Sequence, residues 1–450
     1  MLLMETDFHG IYFRALDSNR LKSLSIDLLN NNTFLKSLSL DNNQLTSLPP
    51  GLFDRSKLLR GLSLSGNRLD SLPDGIFNNN EQLEDLYLHS NRLTSLPNGI
   101  FRNNQHLTKV YLTSNPIAFL RPSVFRNNGQ LSVLLLNEMK LKSLPSGIFD
   151  NNKQLTTISL KNNQLKSLQA GQFDNNEQLS LLYLEKNQLD SLPDGIFRNN
   201  KKLCRLFLSG NPLNRFPAGI AHLPQLYSLV MASCQLTSVP PGAFRNILLV
   251  DLDLGDNKLS TLPEKIFKNN PKLSTLTLIF NRLTYLPSGI FKNNRLLSSL
   301  FLNHNQLKSL PDRLLDNNKK LTYLIVHSNM LTKMPDRILR NMTMLKILMY
   351  HHNRISSRTL SRTLLYDLPN LYSLFASYNN LEYIQDYSFS KSSSLSHVLL
   401  NNNQLKDITN RTFYGAFQLK ALFLMANPIE YIADGAFSSN TKMETLYVFF

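Results

Sequence analysis

A phased repeat runs from one end of this chain to the other and limits its fold more than any other feature. The unit reads LxxLxLxxNxLxxLPxxIFxNNxx and is clearest between Leu83 and Phe101. Its ninth position recurs 18 times from Asn19 to Asn427, and of the 17 intervals 14 are 24 residues, two are 23 and one is 26. One unit cannot bury its own leucines but a stack of units can, so the repeat predicts a solenoid.

The first half of each unit, LxxLxL, predicts a strand whose leucines point into the solenoid. Neighbouring strands should stack about 4.8 Å apart as a parallel sheet on the concave face. The Asn at the ninth position follows the strand, where its amide can satisfy backbone groups of the turn. Met139 and Cys234 replace it in two units, and we expect weak points or bends there.

The second half of each unit predicts a convex face without long helices. Proline fixes φ where the chain turns back. Phe follows the Ile position in 13 of 18 units, which predicts a spine of stacked rings. The xNN segment after it, as in Asn103 and Asn104, is polar and predicts solvated turns. The predicted fold class is an α/β solenoid of about 18 to 19 repeats, with a concave parallel sheet and convex turns or 3₁₀ segments.

One change of texture divides the chain, which otherwise reads as a single quasi-linear domain. The 26-residue unit that contains Ser356 to Asn370 lacks the Leu-Pro signature, and later units read IxxxxF, as in Ile384 to Phe389. We predict LPxxIF-type repeats over residues 1–355. Over residues 356–450 we predict IxxxxF-type repeats, the last of them truncated.

The net charge of +16 is spread over the repeats. A basic surface attracts acidic glycans or membranes, although a soluble, self-repelling surface is the simpler explanation of the charge. No recognised nucleic-acid module is present, so no nucleic-acid partner is predicted. Two cysteines, Cys204 and Cys234, cannot form a disulfide framework, and we expect free thiols with Cys234 buried.

Both ends of the chain resemble cut ends. The apolar run Met1–Met4 is too short for a signal peptide, and no run approaches the length of a membrane span. Arg14 stands where an inward apolar residue is expected, and the chain stops inside a nineteenth strand. We expect a fragment whose missing flanks carry polar caps and any targeting or membrane segment.

The 24-residue unit resembles the "typical" class of extracellular leucine-rich repeats, which form a horseshoe. Segments such as Leu144–Phe149 and Leu192–Phe197, both LPxGIF, are similar to those of jawless-vertebrate variable lymphocyte receptors and of Slit-type, Toll-like and leucine-rich-repeat G-protein-coupled receptor ectodomains. The resemblance covers essentially the whole chain and implies protein recognition through the concave sheet. The chain departs from the family in lacking cysteine-rich caps and in its convex Asn pair.

The fifth position of each unit is expected at mid-strand on the concave face. It holds two apolar and aromatic stretches, in about units 4–10 and 13–19, separated by Asp251, Asp253 and Asp256. Such a stripe is typical of a binding surface, although stacked strands also favour β-formers there. The predicted ligand-binding residues, some beside this column, are Tyr87, Tyr111, Tyr183, Phe207, Phe280, Phe301, Tyr323, Ile325, Met349, Phe375, Tyr378 and Phe423.

A histidine cluster lies in the second stretch. His327 and His351 hold the seventh position of adjacent units, about 5 Å apart, with His304 and His352 at the eighth position on either side. They are weak candidates for a Zn²⁺ site or a sensor near about pH 6. Solvated polar residues are the simpler interpretation, and no metal or other cofactor is predicted.

Asn31, Asn341 and Asn410 begin Asn-x-Thr triplets off the concave strands and are glycosylation candidates, although an Asn-rich chain produces such triplets by chance. No catalytic set or phosphate loop is recognisable, so the chain is not expected to be an enzyme. The first hypothesis is an extracellular or cell-surface receptor ectodomain that binds a protein ligand. The second is an adhesion or matrix protein that binds acidic glycans, and the third is an intracellular scaffold. A membrane is expected to be contacted only through segments absent from this chain.

Overall fold

The computed structural model describes residues 13–448, which form two compact units. The first comprises residues 13–213 and 217–226, and the second comprises residues 214–216 and 227–448. Every strand pairing inside both units is parallel, and the two units together hold about 18 stacked turns, so the predicted solenoid is confirmed.

The first unit contains nine strands of three residues, each paired in parallel with the next along the chain. Equivalent residues of neighbouring repeats are in register, as in Leu62 beside Leu86. The strands are β1 (Phe13–Ala15), β2 (Ser37–Ser39), β3 (Gly61–Ser63), β4 (Asp85–Tyr87), β5 (Lys109–Tyr111), β6 (Val133–Leu135), β7 (Thr157–Ser159), β8 (Leu181–Tyr183) and β9 (Arg205–Phe207).

The second unit contains fourteen strands. They are β10 (Ser228–Val230), β11 (Asp251–Asp253), β12 (Thr275–Thr277), β13 (Ser299–Phe301), β14 (Tyr323–Ile325), β15 (Ile347–Met349), β16 (Thr359–Leu360), β17 (Ser373–Phe375), β18 (Tyr383–Ile384), β19 (His397–Leu399), β20 (Asp407–Ile408), β21 (Ala421–Phe423), β22 (Tyr431–Ile432) and β23 (Thr445–Tyr447). Ten of them form the main sheet, while β16 pairs with β18 and β20 pairs with β22 as separate two-residue ladders.

The strands form because the inward leucines of each repeat are removed from water together. Leu83, Leu86 and Leu88 are all fully buried, and the same pattern recurs along both units. Each three-residue strand is centred on the fourth position of the repeat, as Leu86 is in β4. The predicted column at the fifth position therefore ends each strand, and its expected mid-strand placement is wrong by one residue.

The returning half of the repeats consists mainly of turns, as predicted. Its described helices are the 3₁₀ segments Ile26–Leu29 and Ala218–His222 and the four-residue helix α1 (Arg362–Leu365). None of these helices is long and apolar enough to cross a membrane. Beneath the turns the predicted phenylalanine spine is present, with Phe53 and Phe77 stacked at 6.1 Å between ring centroids.

The Asn at the ninth position forms the predicted ladder. The Asn187 side-chain amide donates to the carbonyls of Leu160 and Leu184, and its oxygen accepts from the backbone N–H of Leu165. One side chain thus satisfies groups in two consecutive repeats. At Met139 this rung is missing, and Ile117 N–H bonds to the Asn115 carbonyl of its own repeat instead.

The Asn pair after the phenylalanine forms a second ladder, so the prediction of purely solvated turns is wrong there. Asn104 is fully buried, and its amide donates to the carbonyls of Phe77 and Asn80, at 3.0 and 2.8 Å. The same pattern repeats at Asn80, Asn128, Asn152, Asn176, Asn200, Asn270, Asn294, Asn318 and Asn440. These amides replace apolar side chains because the turn above the phenylalanine leaves carbonyls that need donors.

Two further predictions concern Arg14 and the two cysteines. Arg14 does take an inward position, since it stands in register with Leu38, and its guanidinium donates to the Leu28 carbonyl and to Asn32. Cys234 is fully buried, as predicted, and within residues 13–448 it forms no disulfide bond with Cys204.

Candidate binding surface

In the first unit the predicted binding residues form two separate ring pairs. Tyr87 and Tyr111 meet edge to face with centroids 4.8 Å apart, and Tyr183 and Phe207 stack at 4.7 Å. All four rings are half-buried. The first pair lies among charges: Lys109 bonds Asp85 at 3.0 Å, and burial followed by the charge of Asp85 raises the pKa of Tyr87.

In the second unit the predicted residues form one row. Phe301, Ile325, Met349 and Phe375 end consecutive strands of the main sheet, and each is in register with the next. Ile325 is only 7% exposed, so it supports its neighbours more than it offers contact area. Phe423 lies two strands beyond Phe375, where it stacks on Tyr447 at 5.0 Å.

Larger exposed rings flank this row. Phe280 is 50% exposed, Tyr378 is 46% exposed, and Tyr323 is 37% exposed at the first position of β14. An apolar row bordered by accessible rings offers large contact area at low entropic cost. The second unit therefore contains the more complete candidate surface.

The rings at the eighth position occupy a backbone conformation that disfavours them. In the described repeats this position has positive φ, and most repeats place Ser, Asn or Gly there. The second unit instead places Phe280, His304, His352 and Tyr378 there, at φ values of 51°, 55°, 50° and 53°. Bulky side chains are rare in the left-handed region, and such strain is concentrated at functional sites. Sequence reasoning treated Phe280 and Tyr378 only as neighbours of the column and did not use this signal.

The histidines connect these rings into one continuous run. His304 stacks on Phe280 at 4.1 Å, and His352 stacks on Tyr378 at 4.0 Å. Between them, His327 and His351 stack face to face at 4.1 Å, which fits their predicted proximity. We call His304, His327, His351 and His352 the histidine track.

The two central imidazoles are poorly suited to the roles first considered for them. Desolvation by burial, reinforced by the neighbouring histidines, lowers the pKa of both His327 and His351 to about 4. These pKa values favour neutral rings near about pH 6 in the unbound protein, which does not support the pH sensor considered above. Within residues 13–448 no group of three His, Cys, Asp or Glu side chains could hold a metal ion.

The strand-and-turn segments that form this surface contain no acidic residues, whereas β11 beside it contains two. Asp251 and Asp253 lie on β11, and burial raises the pKa of Asp253, whose carboxylate accepts from Gly255 N–H. From Leu273 onward, the strand-and-turn segments of seven consecutive repeats contain no Asp or Glu at all. These are residues 273–282, 297–306, 321–330, 345–354, 371–380, 395–404 and 419–428.

A separate cavity of about 600 Å³ opens beside the irregular 26-residue unit. Charged side chains such as Arg337 and Asp336 line it together with Leu364 and Tyr350. Tyr350 takes an inward position and is 1% exposed, and its hydroxyl has no hydrogen-bond partner among the described residues. Burial raises the pKa of this phenol. No single ligand chemistry follows from so mixed a lining.

The glycosylation candidates are accessible. Asn31, Asn341 and Asn410 are all exposed, and none lies on a strand. Their placement is compatible with an attached glycan that leaves the sheet uncovered.

Comparisons with known proteins agree with this architecture. A family profile described as leucine rich repeat matches overlapping segments that together span residues 15–331. A second profile, the BspA type leucine rich repeat region, matches residues 358–449. Neither profile describes an enzyme. A search of the curated proteins by sequence found no match.

Many solved structures share the fold. A leucine-rich repeat protein of Leptospira interrogans is 25% identical with a TM-score of 0.64, over 96% of this chain and 95% of that one. YopM from Yersinia enterocolitica is 24% identical with a TM-score of 0.65, over 97% and 91%. Toll of Drosophila, in its complex with Spatzle, is 23% identical with a TM-score of 0.69, and the match covers 94% of this chain but 55% of that one.

Proposed function

This chain belongs to the leucine-rich repeat family, and we propose that it is a non-catalytic recognition protein that binds a protein ligand on the main sheet of its second unit. The observation that carries the proposal is the row of Phe301, Ile325, Met349 and Phe375, which is bordered by rings that are about half exposed. Water-exposed apolar rows of this kind are stabilised when a partner covers them.

We further propose that the chain acts outside the cell or at the cell surface, as a receptor ectodomain. The LPxGIF units resemble extracellular receptors, and the exposed positions of Asn31, Asn341 and Asn410 support the same environment. The complex of Toll with Spatzle is an example of a structure with this fold that has a protein partner. The change of repeat texture near residue 355 we retain as a proposed subdomain boundary.

The proposal is tested by selecting binders from a displayed library of random peptides against the folded protein. We expect selected peptides to protect β13, β14, β15 and β17 from hydrogen exchange. Phe301→Ala and Phe375→Ala should each weaken binding by about thirtyfold or more, since aromatic residues at the centre of an interface contribute about 2 kcal/mol or more.

The matched control is Tyr285→Ala, which removes an aromatic side chain that is 52% exposed but lies off the strands. It should leave affinity unchanged. Cooperative thermal melting of all three variants confirms that the fold persists. Binders that protect only the turns, or equal losses in the control, would show that the sheet is not the recognition surface.

A further inference from the structure

The histidine track and its flanking rings form a continuous run of ring contacts, three stacked and two edge to face, across five repeats of the second unit. Successive centroids lie 4.1, 5.2, 4.1, 5.5 and 4.0 Å apart in the order Phe280, His304, His327, His351, His352 and Tyr378. Four of these six side chains keep a left-handed backbone that Asn or Gly would occupy at lower cost. Phe and Tyr, unlike His, are rarely found in the left-handed region, so the presence of Phe280 and Tyr378 there favours a role beyond the fold.

The groups that face the central imidazoles are other imidazoles, aromatic rings and a hydroxyl. On one side His327 meets His304, and on the other it meets His351; its Nδ1 lies 3.1 Å from Ser328 Oγ. His351 also faces His352 and the Phe375 ring, and its Nδ1 is buried without a hydrogen-bond partner among the described residues. Among the described residues, no carboxylate is a cause of the lowered pKa of either central ring.

The charged residues within the strand-and-turn segments that hold the track are all basic. Arg282 and Arg354 stand two residues beyond the eighth position of their repeats, and Lys346 precedes β15. The strand-and-turn segments from Leu273 to Pro428 contain basic residues and no acidic ones, whereas comparable segments of the first unit mix both signs, as at Asp85 and Lys109. An anionic partner is the complement of this surface.

We propose that the histidine track binds an extended, acidic and aromatic segment of the protein ligand, and that its imidazoles take up protons as that segment binds. The inference rests on the proposed function and names the chemistry of its ligand. Ligand carboxylates supply the negative charge that the track lacks, and ligand rings continue the stack of Phe280 and Tyr378.

The direction of the pH dependence follows from linkage. In the unbound protein the central rings are neutral at neutral pH, since their pKa is about 4. A ligand carboxylate in contact raises that pKa, so the added affinity is complete below the unbound pKa and is lost as pH rises through the bound pKa. An uncharged apolar ligand would bury the rings further, lower their pKa and bind less tightly in acid.

The experiment uses the full chain and a soluble random copolymer of glutamate and tyrosine as the probe, with binding measured by interferometry between about pH 7 and about pH 5, where glutamate stays largely ionised. We expect affinity to rise by up to about tenfold per pH unit for each proton taken up. The double variant His327→Gln/His351→Gln should lose most of this rise while still melting cooperatively at about pH 7. His106→Gln, which changes an exposed histidine off the strands, should keep it.

The outcomes separate the two proposals. If displayed peptides bind the sheet but the copolymer does not bind at any pH, the acidic ligand is wrong and the proposed function stands. If neither binds, both fail. Affinity that falls with acidification would assign an apolar ligand, and tighter binding of heparin than of the copolymer would assign a glycan; either result overturns the inference.

Discussion

Asn200 shows how much one amide contributes inside a repeat. It is fully buried, and its amide donates to the carbonyls of Phe173 and Asn176, at 2.9 and 3.0 Å. Asn200→Ala leaves both carbonyls without this donor, so we expect the free energy of unfolding to fall by about 2–3 kcal/mol. Urea denaturation of the purified variant measures the loss.

The neighbouring residue is the matched control for that change. Asn199 is exposed, and its amide makes one bond, to the Asp174 carbonyl at 3.1 Å. Asn199→Ala should therefore reduce the free energy of unfolding by less than about 1 kcal/mol. Equal losses in the two variants would mean that the second Asn ladder is not a specific support of the fold.

Tyr350 gives the opposite prediction, a stabilising substitution. Its buried hydroxyl has no hydrogen-bond partner among the described residues, and a buried polar group without a partner costs about 1–3 kcal/mol. Tyr350→Phe keeps the ring and should raise the free energy of unfolding by about 1 kcal/mol. Tyr285→Phe, at an exposed ring, should change nothing. A destabilised Tyr350→Phe would show that the hydroxyl is bonded in solution.

Some of these residue roles were readable from the sequence and others were not. The Asn187 ladder was predicted because its amide follows a strand at a fixed place. The role of Asn200 was missed, since composition alone does not separate a buried Asn from a solvated turn Asn. The available signal was that an Asn recurs three residues after the phenylalanine in most repeats, as Asn200 does after Phe197. The strain at Phe280 was likewise hidden, because φ at the eighth position is set by the turn and not by the residue that occupies it.

At the scale of elements, the segment 356–370 should open more readily than its counterparts. It has no Leu-Pro signature, and Leu368 stands at the position of the second Asn ladder, where Asn318 donates two hydrogen bonds to backbone carbonyls. Fewer buried backbone partners lower the free energy of local opening. We expect amide hydrogen exchange at least about tenfold faster in residues 356–370 than in the equivalent residues 308–320. Equal protection would contradict this.

The sequence predicted the type of each element better than the residues at which it begins and ends. Leucines at alternate positions followed by a turn Asn predict a strand. The length of that strand, three residues in β4, depends on how far the backbone hydrogen bonds to the neighbouring strand extend. The ladders of β16 with β18 and β20 with β22 were not foreseen. Segments such as Tyr383–Ile384 carry only two residues each, too few for an alternating pattern to appear.

At the scale of the whole molecule, the repeat determines the solenoid, whereas the binding surface depends on which face each side chain reaches. The row of Phe301, Met349 and Phe375 was predicted because register follows from the spacing of the repeats. The low pKa of these histidines was not predicted, since desolvation depends on how closely His327 and His351 stack. Neutral rings at His327 and His351 also affect the stability of the protein in acid.

Because folding holds His327 and His351 neutral, with a pKa of about 4 against about 6.5 in the unfolded chain, the unfolded state binds more protons between these values. Their stabilisation is complete above about pH 6.5 and is lost as pH falls toward about 4. Both rings are only half-buried, so we expect less than about 1 kcal/mol from each. Urea denaturation across this range should give a shallower loss for His327→Gln/His351→Gln than for the parent chain. Carboxylate protonation is common to both proteins, and parallel curves would show that the stacked imidazoles titrate as free histidines do.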